Sequence, residues 1–345
     1  MKPILAMTMG DPAGIGAECC VRAAAHRELY DWCRPLVVGD LGVLMQTVQG
    51  VGAAIEVRPV ASPEEIPDEP GVLPVICETQ LETGTWQYGV ASAACGEASY
   101  QYICKSIELA LEGRVDAVVT APISKEALHM AGRMYAGHTE IFGEKTQTRD
   151  FAMVLHTDKL NVIHVTTHVS MRQACDLISR DRVLRVIRMA NRAVQEMGVE
   201  KPRIAVAGLN AHASENGLFG AEETESIIPA VEAARAEAIC VEGPLPPDTV
   251  FVKALGGLYD IVVAMYHDQG HIPVKLSGFK LDAQTNRFLS MQGVNMTVGL
   301  PIIRTSVDHG TAYDRAGKWL SNEQSMIDAM EMAARIAQNR NRKNH

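Results

Sequence analysis

The stretch "DIVVAMYHDQGH", residues Asp260–His271, is an apolar run that stops abruptly in a histidine and a carboxylate. From Ile261 to Met265 every residue is apolar, and none alternates with a polar partner. A short unalternated run bounded by polar residues reads as a strand covered on both faces, the usual state of a parallel strand packed between helices. His267, Asp268, Gln269 and Gly270 have no place inside such a layer, so they belong to its edge. The same ending occurs twice more, in "VIHVTTH" (162–168), which closes on His168, and "AVAGLNAH" (205–212), which closes on His212. Ligands of open parallel sheets bind outside the carboxyl ends of the strands. Three imidazoles at such an edge suit one divalent cation, with positions left open for substrate. A tip histidine is as readily a hydrogen-bonded structural residue, and spacings of 44 and 55 residues match no short metal motif.

Outward from this stretch the chain repeats one theme. Strand candidates are "PILAMTM" (3–9), "PLVVGD" (35–40), "AAIEVRPV" (53–60), "VLPVIC" (72–77), "VDAVVTAP" (115–122), "FAMVLHT" (151–157), "LNVIHVTTH" (160–168), "RIAVAGLN" (203–210) and "DIVVAMYH" (260–267). Helical patterns lie between or after them, over 91–111, 172–197, 222–238 and 325–337. This alternation predicts an α/β architecture with parallel strands. At 345 residues two domains are expected. No linker marks the boundary, and crossings are expected near Gly132–Gly137 and Met291–Leu300.

Composition narrows the function. Apolar residues make up 47% and charged residues 21%, an ordinary globular balance. A formal charge of −9 argues against nucleic acid as a partner, which demands a basic surface. The eight cysteines form no C-x-x-C pair and sit in apolar or helical stretches, as reduced core thiols do. Gly-Asp-Pro breaks the short apolar N-terminal run before a signal sequence develops, and no stretch approaches the ~18 residues that span a bilayer. The expectation is a cytoplasmic protein with no membrane partner.

Several stretches could handle an anion. "YAGHTEIFGEKT" (135–146) reads as a loop entering a helix, with His138 at its mouth and Thr139 as the expected N-cap. Lys275, Arg304 in "LPIIRTS" and Lys125 in "APISKEA" are cations in apolar or turn sequence, where a phosphate, a carboxylate or an internal acid would neutralise them. "TMGDPAGIGAE" (8–18) follows the first strand, but its G-x-x-x-G-x-G spacing is not the dinucleotide fingerprint, and a structural turn is the better reading.

Taken together, "MGDPAGIGAE", "TAPISKEAL", "GHTEIF", "TTH", "GLNAHASENGLFGAEE", "GPLPPDTVF", "AMYHDQGHIPVK" and "GVNMTVGLPIIRTSVDHGTAYDRAG" resemble the 4-hydroxythreonine-4-phosphate dehydrogenase family, over residues 9 to about 317. The resemblance implies two α/β/α lobes with a cleft between them, isocitrate/isopropylmalate dehydrogenase-like. The expected division is 1–133 plus 300–345 for the lobe with the nucleotide-binding turn, and 134–299 for the lobe with the metal-ligand histidines and dimer interface. NAD (or NADP) is expected against His309, Gly310, Thr311 and Ala312. One divalent metal ion (Zn, Co, Mg or Mn) is expected at His168, His212 and His267, in a site shared between the subunits of a homodimer. Substrate contacts carry over to His138, Thr139, Lys275, Asn295 and Arg304, and catalytic roles to Lys125, Asp248 and Asp268.

The expected reaction is oxidation of an alcohol beta to a carboxylate on a small phosphorylated substrate, followed by loss of carbon dioxide. Two departures qualify it. "KLDAQTNRFLSMQ" (280–292) intervenes where the family pattern has only a few residues. "MTMGDPAG", "RDFAMVLHTDKLNVIHV" and "ASENGLFG" are similar to the branch of D-threonate 4-phosphate dehydrogenase. Rival readings are a dehydrogenase of a cis-dihydrodiol dicarboxylate, a metal-dependent hydrolase or aldolase, and a non-catalytic phosphometabolite-binding protein.

Overall fold

The computed structural model describes residues 2–67, 69–82, 84–283, 287–291 and 293–343. The chain is α/β and divides into two compact units, Met1–Asp150 with Leu300–His345, and Phe151–Gly299. All eight cysteines are free. Among the described residues no helix is long and apolar enough to cross a membrane.

In the first unit six strands run in the order Glu56–Pro59, Val72–Thr79, Arg34–Asp40, Ile4–Thr8, Ala117–Thr120 and Arg304–Val307, and every neighbouring pair is parallel. The central strands are continuous apolar runs because helices cover them: Leu5, Ala6, Met7, Val118 and Val119 have no exposed surface. On one flank Tyr100, Ile103 and Ile107 of helix Ala93–Leu111 meet Val118, Leu128, Ile141, Phe142 and Ile302 in a single core. Helix His138–Lys145 is thereby seated in this unit.

In the second unit the order is Val294–Val298, Ala152–His156, Asn161–His164, Ile261–Ala264, Ile204–Ala207 and Val241–Leu245. The last three pairings are parallel and the first two antiparallel, so the all-parallel expectation fails at one side of this sheet. The cause is local. Thr157 accepts backbone and side-chain hydrogen bonds from the Leu160 turn, which folds two neighbouring runs into a hairpin. The expected helix over 172–197 is two, Met171–Leu177 and Arg180–Glu196, because Ser179 restarts the chain as an N-cap accepting from the Arg182 amide. Segment 280–292 contributes an antiparallel hairpin of Phe279–Asp282 with Arg287–Met291, while residues 284–286 and 292 within it lie outside the described residues.

Candidate active site

The strands that lead to His168, His267 and His212 are neighbours in the second unit. Ile261–Ala264 lies between Asn161–His164 and Ile204–Ala207, parallel to both, so all three tips open on one sheet edge. His168 and His267 come close, with ring centroids 5.7 Å apart. The His267 Nδ1 meets Asp268 Oδ1 at 2.7 Å, leaving Nε2 as the free nitrogen of that ring.

Each residue after the strand has a physical task. Asp268 orients His267. Gln269, nearly buried, accepts from the Met265 amide at 2.7 Å and donates to the Gly208 carbonyl at 2.8 Å, tying the His267 tip to the His212 tip. Gly270 admits the helix His267–Gly278 against the sheet, since a Cβ there would stand 2.3 Å from His164 Nε2. His271, one turn on, stacks on His267 and lies 4.8 Å from His164 by centroids.

His164 and His271 were not anticipated, although the i, i+4 spacing of His267 and His271 was visible in the sequence. Burial, helped by the neighbouring His271, pushes His164 down to about 3, and burial pushes His271 down to about 4. Both rings are therefore neutral at pH 7.

His212 sits in an unusual turn. His212, Ala213, Ser214, Glu215 and Asn216 all have positive φ, between 46° and 67°. A run of left-handed L-residues costs roughly 1–2 kcal/mol each, so something must hold it. Glu223, buried at the head of a π-helical turn, accepts from the Leu209 and Asn210 amides and from Asn210 Nδ2 at 2.7–2.8 Å. This clamp is a second feature that spacing alone did not reveal.

Two imidazoles in reach of each other suit a divalent cation. Among the described residues of one chain, however, no three histidine, cysteine, aspartate or glutamate side chains gather as a metal site. His212 stands outside the His168–His267 group.

In the first unit, Arg304 is buried and its Nη2 donates to Thr120 Oγ1 at 2.8 Å, while the guanidinium lies 5.6 Å from the Phe142 ring centre. Burial lowers it to about 10, with Glu140 opposing. His138 opens the helix His138–Lys145, and its imidazole is held well below the ordinary value, first by burial and then by the Arg304 charge. The residue as a whole is partly exposed, but its Nε2 is buried and has no hydrogen-bond partner. The N-cap position belongs to Gly137, with no side-chain cap, so Thr139 is the second helical residue rather than the expected cap. Helix amides with no side-chain cap, beside a buried guanidinium and an open imidazole nitrogen, suit an anion.

The turn His309–Ala312, where a nucleotide is expected, follows the strand Arg304–Val307. His309 is lowered by burial, and its Nε2 is buried without a partner. Gly310 faces open space, and Ala312 has a φ of 46°. An orphaned buried nitrogen beside an unobstructed glycine fits a bound nucleotide.

The remaining expected residues are scattered over the two units. Lys125 is exposed at the start of the Lys125–Met130 helix, behind a Ser124 cap. In the second unit, the Lys275 Nζ lies 4.7 Å from the Phe279 ring centre. Asn295 Nδ2 touches Met153 Sδ at 3.1 Å, and its Oδ1 is buried without a partner. Exposed Asp248 and Asp268 line one groove with Phe251, Tyr266 and Ile272.

The α/β fold thus places histidines beyond neighbouring parallel strands of the second unit, and sets Arg304, Thr120 and His138 together in the first. The family model described as pyridoxal phosphate biosynthetic protein PdxA matches residues 31–333, and the chain belongs to that family. D-threonate 4-phosphate dehydrogenase of Salmonella typhimurium is 47% identical over 335 residues, 96% of this chain and 98% of that protein. A solved 4-hydroxythreonine-4-phosphate dehydrogenase from Klebsiella pneumoniae is 45% identical with a TM-score of 0.86, over 98% of this chain and 100% of that one. A terephthalate 1,2-cis-dihydrodiol dehydrogenase from Burkholderia xenovorans is 28% identical with a TM-score of 0.68, over 97% and 98%.

Proposed function

We propose that this chain catalyses the NAD-dependent oxidative decarboxylation of a phosphorylated four-carbon 3-hydroxy acid. D-threonate 4-phosphate is the first candidate and 4-hydroxy-L-threonine 4-phosphate the second. The observation that carries the reading is the anion seat: Arg304 buried against Thr120, with the open Nε2 of His138 alongside. A buried guanidinium presents a planar fork of donors that matches a phosphate well. The 47% identity to a D-threonate 4-phosphate dehydrogenase supports the choice of substrate.

His138, Thr139 and Arg304 grip the phosphate, and Lys275 and Asn295 contact the rest of the substrate. Orientation of this kind contributes roughly 7–11 kcal/mol to barrier reduction where the reacting atoms are aligned. The hydroxyl proton passes to a base of this chain, Lys125 or Asp268, with Asp248 nearby in the Asp268 groove. A nicotinamide nucleotide, NAD or NADP, held at His309, Gly310, Thr311 and Ala312, supplies the hydride acceptor. The β-keto acid then loses carbon dioxide.

His168 and His267 are the donors one chain offers a divalent ion such as zinc, cobalt, magnesium or manganese, which would acidify the substrate hydroxyl. The set closes when a second copy of the chain contributes to it, so the working form is a homodimer. Val252, Ile272 and Leu276, 57–79% exposed on the second unit, give that copy an apolar surface. Sedimentation showing only monomer in active preparations contradicts the shared site.

The deciding experiment is nucleotide reduction by metal-replete protein with D-threonate 4-phosphate, 4-hydroxythreonine 4-phosphate and a terephthalate cis-dihydrodiol side by side. Turnover of the first above the others is expected. Reduction with the dihydrodiol alone favours the alternative, in which Arg304 reads a second carboxylate, as the 28% relative suggests. Substrate cleavage with no nucleotide reduced returns the hydrolase or aldolase reading, and binding with no turnover returns the non-catalytic one.

A further inference from the structure

The glycine-rich turn after the first strand cradles no phosphate fingerprint, yet it is tied to the nucleotide turn at several points. The Tyr313 hydroxyl donates to Asp11 Oδ2 at 2.6 Å, and the Ala13 amide donates to Asp11 Oδ1 at 2.8 Å. The Ile15 amide donates to the Thr311 carbonyl at 3.1 Å, and the Asp11 amide to the Pro122 carbonyl at 2.9 Å. Gly14 lies so close that a Cβ there would stand 3.0 Å from the Thr311 carbonyl oxygen and 3.1 Å from its Cβ. Asp11 has no exposed surface, and burial raises its carboxyl above the ordinary range against the pull of Tyr313 and Ala13. A fully buried acid is costly unless it is hydrogen-bonded, as Asp11 is by Tyr313 and Ala13.

We infer that Asp11 and Tyr313 are positioning residues for the nicotinamide nucleotide, and that the glycine-rich turn is the seat on which the His309–Ala312 turn is set. This rests on the nucleotide assignment made above. Neither residue is asked to touch the reacting atoms. Tyr313 directly follows Ala312, whose left-handed backbone needs an anchor, and the phenol-to-carboxylate bond supplies it. The amide-to-carbonyl bond at Thr311 holds the middle of the turn from the other side. Gly14 sets how near the two turns approach.

The test is Tyr313→Phe, which removes one oxygen, with Gly14→Ala as a second variant that acts on Thr311. NADH and NADPH binding are measured by fluorescence titration, KM is measured separately for nucleotide and for phosphorylated substrate, and melting temperature is recorded. Losing a hydrogen bond to a charged group predicts about tenfold weaker nucleotide binding and a matching rise in nucleotide KM. Substrate KM should stay within about twofold. Asp11→Asn, which keeps an acceptor for the phenol, should fall between wild type and Tyr313→Phe. Variants that bind nucleotide as wild type does, or lose both KM values equally, overturn the positioning role. Wild-type protein that binds neither nucleotide overturns this role and the nucleotide assignment together.

Discussion

The imidazoles of His267 and His271 lie face to face, with 3.6 Å between ring centroids and 12° between their planes. The His271 Nδ1 meets the His267 carbonyl at 2.9 Å, so the pair is fixed by backbone as well as by stacking. His164 backs this pair from the strand, and Gly270 makes room for it.

Replacing Gly270 by Ala should disturb the whole arrangement. The new methyl would stand 2.3 Å from His164 Nε2 and 2.6 Å from Val162 Cγ1, both in the packed interior. Overpacking of this kind costs about 1–3 kcal/mol. Urea titration should show the unfolding free energy falling by that amount, and an unchanged midpoint would mean that the helix does not pack on His164 and Val162 at Gly270.

His212 offers a way to separate folding from function. It is exposed and carries a φ of 53°, which glycine adopts freely. His212→Gly should therefore melt within about 1 kcal/mol of wild type, as relief of left-handed strain offsets added chain entropy. It should nonetheless abolish turnover and weaken zinc uptake measured by competition with a chromogenic chelator. Full activity in this variant would remove His212 from the site.

Arg304→Lys keeps the charge and loses the planar fork that reaches Thr120. Breaking a buried, hydrogen-bonded charge contact typically costs about 2–5 kcal/mol, so kcat/KM for the phosphorylated substrate should drop roughly thirtyfold or more. Nucleotide binding by the free protein should be unaffected. Retained kcat/KM would place the phosphate elsewhere.

Acid should destabilise the fold through its buried imidazoles. His138 and His309 both lie below the ordinary value of 6.5, chiefly by burial. The unfolded chain takes up protons that the native chain refuses, so this contribution is whole above about pH 6.5 and is lost as pH falls beneath it. Replacing His138 by Gln should flatten the decline in stability between neutral pH and pH 5. Parallel slopes for the two proteins would show that His138 is not buried as a neutral ring.

Much of this was written in local pattern. Continuous apolar runs announced nine strands, because a strand covered on both faces admits no polar alternation, and each run is found as a strand within a few residues. Val241–Leu245, Phe279–Asp282, Arg287–Met291, Val294–Val298 and Arg304–Val307 are not legible as such runs. Val241–Leu245 contains Gly243 and Pro244, Val294–Val298 alternates polar with apolar residues, and Arg304–Val307 opens on three polar ones. The family resemblance was equally legible, because "AMYHDQG" and "RTSVDHGTA" are specific strings.

The sequence by itself determined the class of layers, the strands that lead to the three histidines, and the family. Tertiary structure alone decided which tips are neighbours and what holds them: Gln269 bridging to Gly208, Glu223 clamping Asn210, and Tyr313 reaching Asp11. Those partners are separated by 61, 13 and 302 residues. A hydrogen bond depends on distance in space, and no periodicity along the chain encodes a distance that only the folded sheet creates.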